Sequence, residues 1–462
     1  MAYTPIDKGE NFFNTKLYTG NGGTNNITGV GFPTNLVWLK ERSESGAPIL
    51  FDLIRGVGKF LRTSSSAAQV TQADTLTAFT TDGFTLGADS ADYSANQNSK
   101  TYASWSWKAG GSNPAKTYVV KVVSDGGNKY RLDDFAANAV TLELSEGGTF
   151  TFDQSDSSNN GHPLRFSTTS NGTHGGGSIY TTGVTVSGTP GQAGAKTVII
   201  VAASAPTLYY FCTVHSGMGG QANTPTTNSF TNLDGNIQSN ISPATTFSIV
   251  SYTAGSSGAN SDTIGHGLGV APSMIMLKTT TATDSWVVYH KSNGAGKSMV
   301  LNSTATVATN TNIYPTTPTN SVFYPGNTAT TNSSSRTYVA YCFAEIQGFS
   351  KMGSYLGNGN ANGTFIYTGF KPAFMMVKRA IGGTGNWHIT DNKRDPFNVN
   401  DAYLSANVDS AESDFDHSDF LSNGIKFKTN NDGWNQNGNT YVYMAFAENP
   451  FVSAAGIPVT AR

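Results

Sequence analysis

The chain has 462 residues, 28 Lys and Arg against 30 Asp and Glu, and only 13 % charged residues. A formal net charge of -2 argues against binding to nucleic acid or to an anionic membrane surface, since both require clustered basic residues. The abundance of Gly, Thr, Ser and Asn, together with 11 % aromatic residues, indicates β structure with many turns rather than disorder.

The amino terminus reads MAYTPIDKGENFF and has neither a basic region nor an apolar core of a secretion signal. No stretch approaches the ~18 apolar residues of a membrane span. Cys212 and Cys342, the two cysteines, lie 130 positions apart in different contexts, so no disulfide framework can be read. We therefore expect a soluble protein without a cleaved leader.

Three stretches of the chain share one pattern. Each opens with a tyrosine and a Gly-rich turn, at Tyr18, Tyr252 and Tyr355. A proline and an apolar run ending in lysine follow, at 33–40, 272–278 and 372–378. Each stretch closes on alternating large residues, namely Tyr102, Trp105 and Trp107, then Tyr338, Tyr341 and Phe343, then Tyr441, Met444 and Phe446. Such repeats decide an architecture before any single motif does.

The spacing of the repeats locates an insertion. Pro272 and Pro372 lie 100 residues apart, whereas Pro33 and Pro272 lie 239 apart. About 135 extra residues therefore separate the first and second units, and they correspond to a segment from about 112 to 243 that does not resemble the repeats. Alternating large side chains and Asp-Gly or Asn-Gly turns predict short antiparallel strands in each unit. We expect an all-β fold of tandem β-sandwich or jelly-roll units with little helix.

The insertion carries the sharpest chemical motif of the chain. After a predicted strand it reads Cys212-Thr-Val-His215-Ser-Gly-Met218, and His162 follows another predicted strand 50 residues earlier. Two histidines and a cysteine with an axial methionine are the ligand set of blue-copper sites. The alternative is a metal-free sandwich in which these side chains only pack, and a redox carrier is a third interpretation.

The stretch from 116 to 220 resembles a small cupredoxin, a Greek-key β-sandwich. By position, the resemblance implies that His162, Cys212, His215 and Met218 are copper ligands, with Tyr210 and the glycine after the methionine in their usual surroundings. Pro163 departs from the family pattern, where an asparagine often braces the ligand loop, and the segment 171–195 is unusually rich in Gly and Thr.

Other polar pairs have structural interpretations. Asp52 with Arg55 and Asp391 with Arg394 occupy matching places in the first and third units, either as loop-bracing ion pairs or as glycan contacts. Trp286 and Trp387 are expected in the core. We found no nucleophile elbow, no paired catalytic carboxylates and no zinc helix, so we expect a protein that is not an enzyme.

The repeats resemble a domain of unassigned function that recurs in structural proteins of marine tailed bacteriophages. The phrases that carry the resemblance are the opening MAYTPIDK, DGFTLG at 82–87, YASWSWKAGG at 102–111, FSKMGSY at 349–355 and AENPF at 447–451. The resemblance implies a lectin-like fold and a location in the virion, after assembly in the host cytoplasm and release on lysis.

Two functions compete under this resemblance. The chain is either a tail fibre or appendage that binds a host-surface glycan or protein, or a capsid or tail decoration protein with a purely structural role. A copper-binding redox protein is a third, less favoured function. The expected partners are other virion proteins and a glycan or protein of the host surface. We also expect a homo-oligomer, such as a trimer. Binding to nucleic acid and insertion into a membrane are not expected.

The sequence analysis divides the chain into seven segments. They are an attachment segment 1–15, repeat one 16–111, a cupredoxin-like domain 115–222, a linker 223–246, repeat two 247–348, repeat three 351–450 and a tail 451–462.

Overall fold

The computed structural model describes residues 5, 6, 8–110, 113–255 and 259–448. Nearly all regular structure in these ranges is β-strand, which confirms the all-β prediction. The helices there are one turn of α-helix at Ala329–Asn332 and the 3₁₀ turns Gly9–Asn11, Ser157–Asn159 and Gly172–Gly175. No helix among the described residues is long and apolar enough to span a membrane. The predicted tail 451–462 and residues 1–4 and 7 of the predicted attachment segment lie outside these ranges.

The first unit is a six-stranded sheet with a small three-stranded sheet beside it. Its strands are β1 (Phe13–Thr19), β2 (Asn25–Ile27), β3 (Leu36–Glu41), β4 (Ile49–Asp52), β5 (Lys59–Arg62), β6 (Val70–Thr71), β7 (Leu76–Thr80), β8 (Gly83–Leu86) and β9 (Thr101–Trp107). The large sheet has the order β1-β9-β3-β4-β5-β6, and β2-β8-β7 form the small one. Because β1 starts at Phe13, the last residues of the predicted attachment segment belong to the sheet.

The insertion is a sandwich of a five-stranded and a four-stranded sheet. Its strands are β10 (Ala115–Ser124), β11 (Asn128–Leu132), β12 (Leu142–Glu143), β13 (Thr149–Asp153), β14 (Leu164–Ser167), β15 (Val184–Ser187), β16 (Lys196–Ile200), β17 (Leu208–Cys212) and β18 (Gln221–Asn223). The orders are β11-β10-β13-β16-β15 and β12-β18-β17-β14. Phe152 of the first sheet meets Phe166 of the second at a ring distance of 5.3 Å, so the inner faces form one core.

The second unit repeats the pattern of the first and adds a hairpin. Its strands are β19 (Phe230–Asn232), β20 (Ser239–Pro243), β21 (Phe247–Thr253), β22 (Ile264–Gly265), β23 (Met274–Thr279), β24 (Val287–His290), β25 (Lys297–Val300), β26 (Ala308–Thr309), β27 (Val322–Phe323) and β28 (Thr337–Phe343). The expected linker 223–246 therefore holds β19 and β20, which pair with each other, and β20 pairs with β21, so that both extend this unit's sheet. Short polar strands of three and five residues carry too weak a pattern to be recognised from sequence.

The third unit has the same core strands in one continuous sheet. They are β29 (Ser350–Leu356), β30 (Phe365–Tyr367), β31 (Pro372–Ile381), β32 (Trp387–Asp391), β33 (Asn400–Ser405), β34 (Ser413–Leu421), β35 (Gly424–Phe427) and β36 (Thr440–Ala447). The opening and closing strands pair in identical register in all three units. Tyr18, Tyr252 and Tyr355 lie opposite Tyr102, Tyr338 and Tyr441, respectively.

The three units close into a ring instead of following one another in a row. Each junction has two backbone hydrogen bonds at equivalent positions. Units one and two are joined by Asp284 N to Ser66 O and Gln69 N to Thr280 O, at 2.8 and 3.0 Å. Units two and three are joined by Gly385 N to Thr304 O and Val307 N to Ala380 O, both at 2.9 Å. Units three and one are joined by Gly46 N to Asp409 O and Glu412 N to Arg42 O, at 2.8 and 3.0 Å. The ring therefore joins unit one to two, two to three, and three back to one, which gives the body an approximate three-fold axis.

Equivalent aromatic residues from the three closing strands meet on this axis. The ring centroids of Trp107, Phe343 and Phe446 lie 5.9, 6.1 and 5.8 Å apart in the three pairs. All three side chains are at most 1 % exposed. Large apolar side chains of this kind dominate core energetics, so the ring is held together by its centre as well as by its junctions.

The two Asp-Arg pairs lie at junctions between units. Asp391 receives hydrogen bonds from Arg394 Nε at 2.7 Å within its own unit and from Trp105 Nε1 of the first unit at 3.0 Å. Asp52 likewise bonds Arg55 and accepts from the Tyr341 hydroxyl of the second unit at 2.6 Å. Both carboxylates are fully buried. Of the two interpretations, the geometry supports structural ion pairs, because a buried carboxylate offers no surface to a glycan.

The tryptophans at equivalent places are core residues, as expected. Trp286 and Trp387 are 0 % and 2 % exposed, and each indole N–H donates to a backbone carbonyl of the preceding unit, Arg62 O at 2.9 Å and Val300 O at 3.0 Å. Their rings fill the junctions, and their N–H groups fix the register of one unit against the next.

Three buried histidines predict acid sensitivity. Burial lowers the pKa of His290 to about 4, of His388 to about 4 and of His417 to about 3. The unfolded chain binds these protons near pH 6.5 and the folded chain does not, so stability falls as the pH drops from 6.5 towards 4. We expect a loss of about 3 kcal/mol per histidine at pH 4. The pKa of Asp395, which burial raises, acts in the opposite direction.

Replacing His417 isolates one of these contributions. Its ring stacks on Trp434 at 4.1 Å, so His417→Phe keeps an aromatic ring there while removing the titratable group. The free energy of unfolding would be measured between pH 4 and 7 by urea unfolding followed by circular dichroism. Its slope against pH should correspond to about one proton fewer than in the wild-type chain. Phe397→Leu, at an exposed position without a titratable group, should keep the wild-type slope. An unchanged slope for His417→Phe would contradict the prediction.

Candidate metal centre

The sheet pairing of the insertion brings His162 next to Cys212. Strands β14 and β17 are antiparallel, and Leu164 lies directly opposite Cys212. His162 stands two residues before Leu164, in the turn that follows the 3₁₀ segment Ser157–Asn159. The fold thus removes a separation of 50 residues, although His162 lies just before β14 and not at the end of the preceding strand, where the sequence analysis placed it.

The three strongest candidate ligands converge on one point. Cys212 Sγ lies 3.9 Å from His162 Nδ1 and 3.8 Å from His215 Nδ1. A metal ~2.3 Å from a thiolate and ~2.1 Å from an imidazole nitrogen sets sulfur and nitrogen ~3.8 Å apart at trigonal angles and ~3.6 Å apart at tetrahedral angles. The observed separations are close to both values, and the three ligand atoms all lie within 4.8 Å of one another. The His₂Cys set therefore fits a metal ion in composition and in spacing.

Met218, the fourth predicted ligand, is buried with Cys212. Both side chains are 0 % exposed and belong to the same hydrophobic cluster. The loop between them needs its glycines, because Gly217 has a φ of +73° and a Cβ at Gly219 would lie 1.7 Å from Tyr210 O. The run Gly-Met-Gly therefore returns the chain tightly under β17 and keeps the methionine inside.

The site combines a buried thiol with an accessible edge. Cys212 is fully buried, His162 is half-buried, and His215 is exposed. Desolvation lowers the pKa of His162, and the nearby His215 lowers it further. Its imidazole therefore remains neutral, which is the form that ligates metal, to a lower pH than in a free histidine.

Two side chains that the sequence analysis did not single out hold His162 in place. The backbone carbonyl of His162 accepts from Tyr130 Oη at 2.8 Å and from Gln154 Nε2 at 2.9 Å. Gln154 is 1 % exposed and also accepts from Leu164 N at 3.1 Å. In the cupredoxin pattern an asparagine after the histidine often braces the ligand loop, and here that position is Pro163. The side-chain amide of Gln154, which follows the end of β13, makes the bracing contact instead.

The Gly- and Thr-rich segment braces the other side of the site. Asn171 Oδ1 accepts from Gly217 N at 2.8 Å, and its Nδ2 donates to Ser216 Oγ at 2.8 Å. His174 Nε2 lies 3.0 Å from Cys212 O. These contacts hold both ends of the ligand loop. The sequence offered no signal for them, because a polar side chain in a Gly-rich loop has no spacing pattern to read.

Removing the Gln154 amide should weaken metal binding without abolishing it. For Gln154→Ala we expect a copper affinity about 10–100 times lower, since residues that orient ligands have effects of this size. Competition with a chelator of known affinity would measure it. Gln221→Ala is a matched control, because Gln221 bonds Asn223 instead of the site. Equal affinities for the two variants would contradict a bracing role.

A family model for a domain of unknown function, DUF7483, matches residues 8–147 and 220–450. The match covers well over half of the chain. The chain belongs to the DUF7483 family. No curated protein and no solved structure matches it.

The DUF7483 match includes all three units of the ring and leaves residues 148–219 uncovered. That gap contains β13 to β17 and all four candidate ligands. The family assignment therefore covers the ring together with β10, β11, β12 and β18 of the sandwich, and the candidate metal centre must be judged by its own geometry.

Proposed function

We propose that this DUF7483 protein is a structural protein of a tailed-bacteriophage particle, a tail fibre or appendage that contacts the host surface. The support is the set of shared phrases given in the sequence analysis, which lie in the first and third units and close to both ends of the chain. Its partners would be other virion proteins and a glycan or protein of the host surface. The proposal contains no catalytic step.

The course of the chain is consistent with attachment at one side of the ring. The turn at Gly9–Asn11 lies against the end of β36, where a Cβ on Gly9 would be 2.8 Å from Ala447 O. Phe13 stacks between Trp107 and Phe446, at 5.0 and 5.1 Å, close to the three-fold axis. An amino-terminal segment docked to the particle would therefore leave the ring from the same side as the last strand.

Antibody labelling of particles tests this proposal. Particles of a phage that encodes this chain would be purified from a lysate by density-gradient centrifugation. They would then be labelled with gold-conjugated antibody against the purified protein. We expect label at the tail, and none on particles lacking the gene. Hundreds of copies on the head would instead support the decoration function, and particles without label would refute a virion location.

The inserted sandwich supports a second, compatible proposal, namely a copper site. The observation that carries it is the convergence of His162 Nδ1 and His215 Nδ1 on Cys212 Sγ at 3.8–3.9 Å. Cys212, His162 and His215 would hold the ion, and Met218 is the axial candidate. Copper in such a set supplies one-electron redox chemistry. The buried thiol and the two braced ligand loops favour one fixed coordination over an adaptable one.

A further inference from the structure

One position recurs at all three junctions between units. It is the last residue of β4, β24 and β32, which is Asp52, His290 and Asp391, respectively. Each of the three lies opposite an equivalent residue of the neighbouring strand, namely Leu36, Met274 and Phe374. Asp52 and Asp391 each accept a hydrogen bond from a side chain of another unit, from Tyr341 Oη at 2.6 Å and from Trp105 Nε1 at 3.0 Å. The second unit differs, because it has a histidine at this position.

His290 contacts the third unit through a bond of another kind. Its Nε2 lies 3.2 Å from the backbone oxygen of Tyr443, and its Nδ1 accepts from Ser292 N at 3.2 Å. A carbonyl oxygen only accepts and a backbone N–H only donates, so Nε2 carries the hydrogen and Nδ1 carries none. The residue is 1 % exposed. The two bonds therefore hold a buried imidazole in one neutral tautomer.

The third unit explains why a histidine suits this junction. At the place of Tyr341 and Trp105 it has Met444, whose thioether has no hydrogen to donate. A carboxylate at position 290 would be buried without the donor that its two counterparts have, which is costly in free energy. Asn293 also stands where the other two units have the arginine of their ion pairs. A neutral imidazole that donates to a backbone carbonyl meets these conditions.

We propose that acid opens the ring at the junction between the second and third units, with His290 as the residue whose protonation opens it. The second ring hydrogen would lie on Nδ1 and point at Ser292 N–H, which can only donate. The cation would also lie in a buried site that is built for a neutral ring. In the open state the imidazole is hydrated and binds the proton without these costs. This inference does not depend on the virion proposal or on the copper proposal.

The charged neighbours of His290 do not compensate for its burial. They are Lys291 and Glu345, which form an ion pair with each other at 2.5 Å, and Glu345 also pairs with Lys351 at 3.1 Å. Burial lowers the pKa of His290 to about 4, with Lys291 acting in the same direction and the bond to Tyr443 O and Glu345 in the opposite one. The pKa in the open state is about 6.5. Closure of this junction is therefore fully favoured above pH 6.5 and weakens as the pH falls towards 4.

Other titratable groups act on the junction between the third and first units as well. Lys378 Nζ donates across the junction between units two and three at 2.7 Å, and Lys40 Nζ makes the equivalent bond between units three and one at 3.2 Å. His388 and His417 are buried inside the third unit, which takes part in both junctions. The junction between units three and one is consequently the internal control for these groups, whereas His290 acts on one junction.

Hydrogen exchange of the junction amides tests the proposal in the full chain. Gly385 N and Val307 N close the junction between units two and three, and the equivalent amides of the other two junctions are controls, namely those of Asp284, Gln69, Gly46 and Glu412. Exchange would be followed by mass spectrometry at pH 7 and 5.5 and divided by the intrinsic exchange rate at each pH. We expect the protection of Gly385 and Val307 to fall about eightfold and to become the lowest of the three pairs. Lower protection at another junction at pH 5.5 would overturn the proposal.

His290→Gln separates protonation from loss of the contact. A glutamine amide donates to a carbonyl as Nε2 does and takes up no proton. In this variant the protection of Gly385 and Val307 should change less than about twofold over the same pH range, and the control amides should follow the wild-type chain. His388→Gln, which removes a buried histidine inside the third unit, should keep the fall at both amides. An eightfold fall that persists in His290→Gln, or an equal loss of pH response at all six amides, would show that His290 does not open this junction.

Discussion

Replacing Trp107 by alanine is expected to lower the free energy of unfolding by about 3–5 kcal/mol. Its indole is 1 % exposed and contacts Phe343 of the second unit and Phe446 of the third, with Phe13 and Phe374 completing its surroundings. A cavity at this point removes contacts of all three units at once. Urea unfolding followed by far-ultraviolet circular dichroism would measure the loss.

The structure supplies two controls for this substitution. Trp107 Nε1 has no hydrogen-bond partner among the described residues, so Trp107→Phe should be much milder than the alanine variant. Phe397 is 82 % exposed, and Phe397→Ala should change stability by at most about 0.5 kcal/mol. If Trp107→Ala cost less than about 1 kcal/mol, the three-fold centre would not be holding the ring together.

Replacing Cys212 by serine is expected to abolish the thiolate-to-copper absorption of the Cu(II) protein. The wild-type chain with one equivalent of Cu(II) should develop an intense band towards the red end of the visible spectrum. In the serine variant the two imidazoles remain, but the soft thiolate that favours copper is gone. Absorption spectra of the two proteins, with their cysteines reduced beforehand, would decide the matter.

The second cysteine of the chain is the matched control. Cys342 is fully buried in the second unit, where burial raises the pKa of its thiol, and no histidine pair neighbours it in the part of the chain that the structure describes. Cys342→Ala should keep the band. Met218→Leu, a volume-conserving change, should keep it with a shifted maximum if the methionine is axial. A wild-type spectrum without the band would refute the blue-copper hypothesis.

Three of the candidate ligands could be predicted because they lie at the end of β17 and in the loop that follows it. Cys212, His215 and Met218 are separated by three residues each, and a short loop keeps such residues together in any fold. His162 could be added from the cupredoxin resemblance. Gln154, Tyr130, Asn171 and His174 could not, because each acts through a backbone contact that depends on how two sheets pack.

The extent of the second unit shows the same limit. The repeat spacing located the insertion, yet the predicted linker 223–246 proved to contain β19 and β20. A strand of five mostly polar residues has little hydrophobic periodicity, and its pairing with β21 is decided by a free edge.

The sequence by itself determined that this low-charge chain is all-β, that it contains three related units, and that a different sandwich with a His₂Cys motif interrupts them. These properties are local, since alternation, turns and short spacings are encoded by neighbouring residues. Only the tertiary structure decided that the units close into a ring around Trp107, Phe343 and Phe446, and that β20 pairs with the opening strand of the second unit. Those outcomes depend on contacts between residues hundreds of positions apart, for which no local pattern selects the partner.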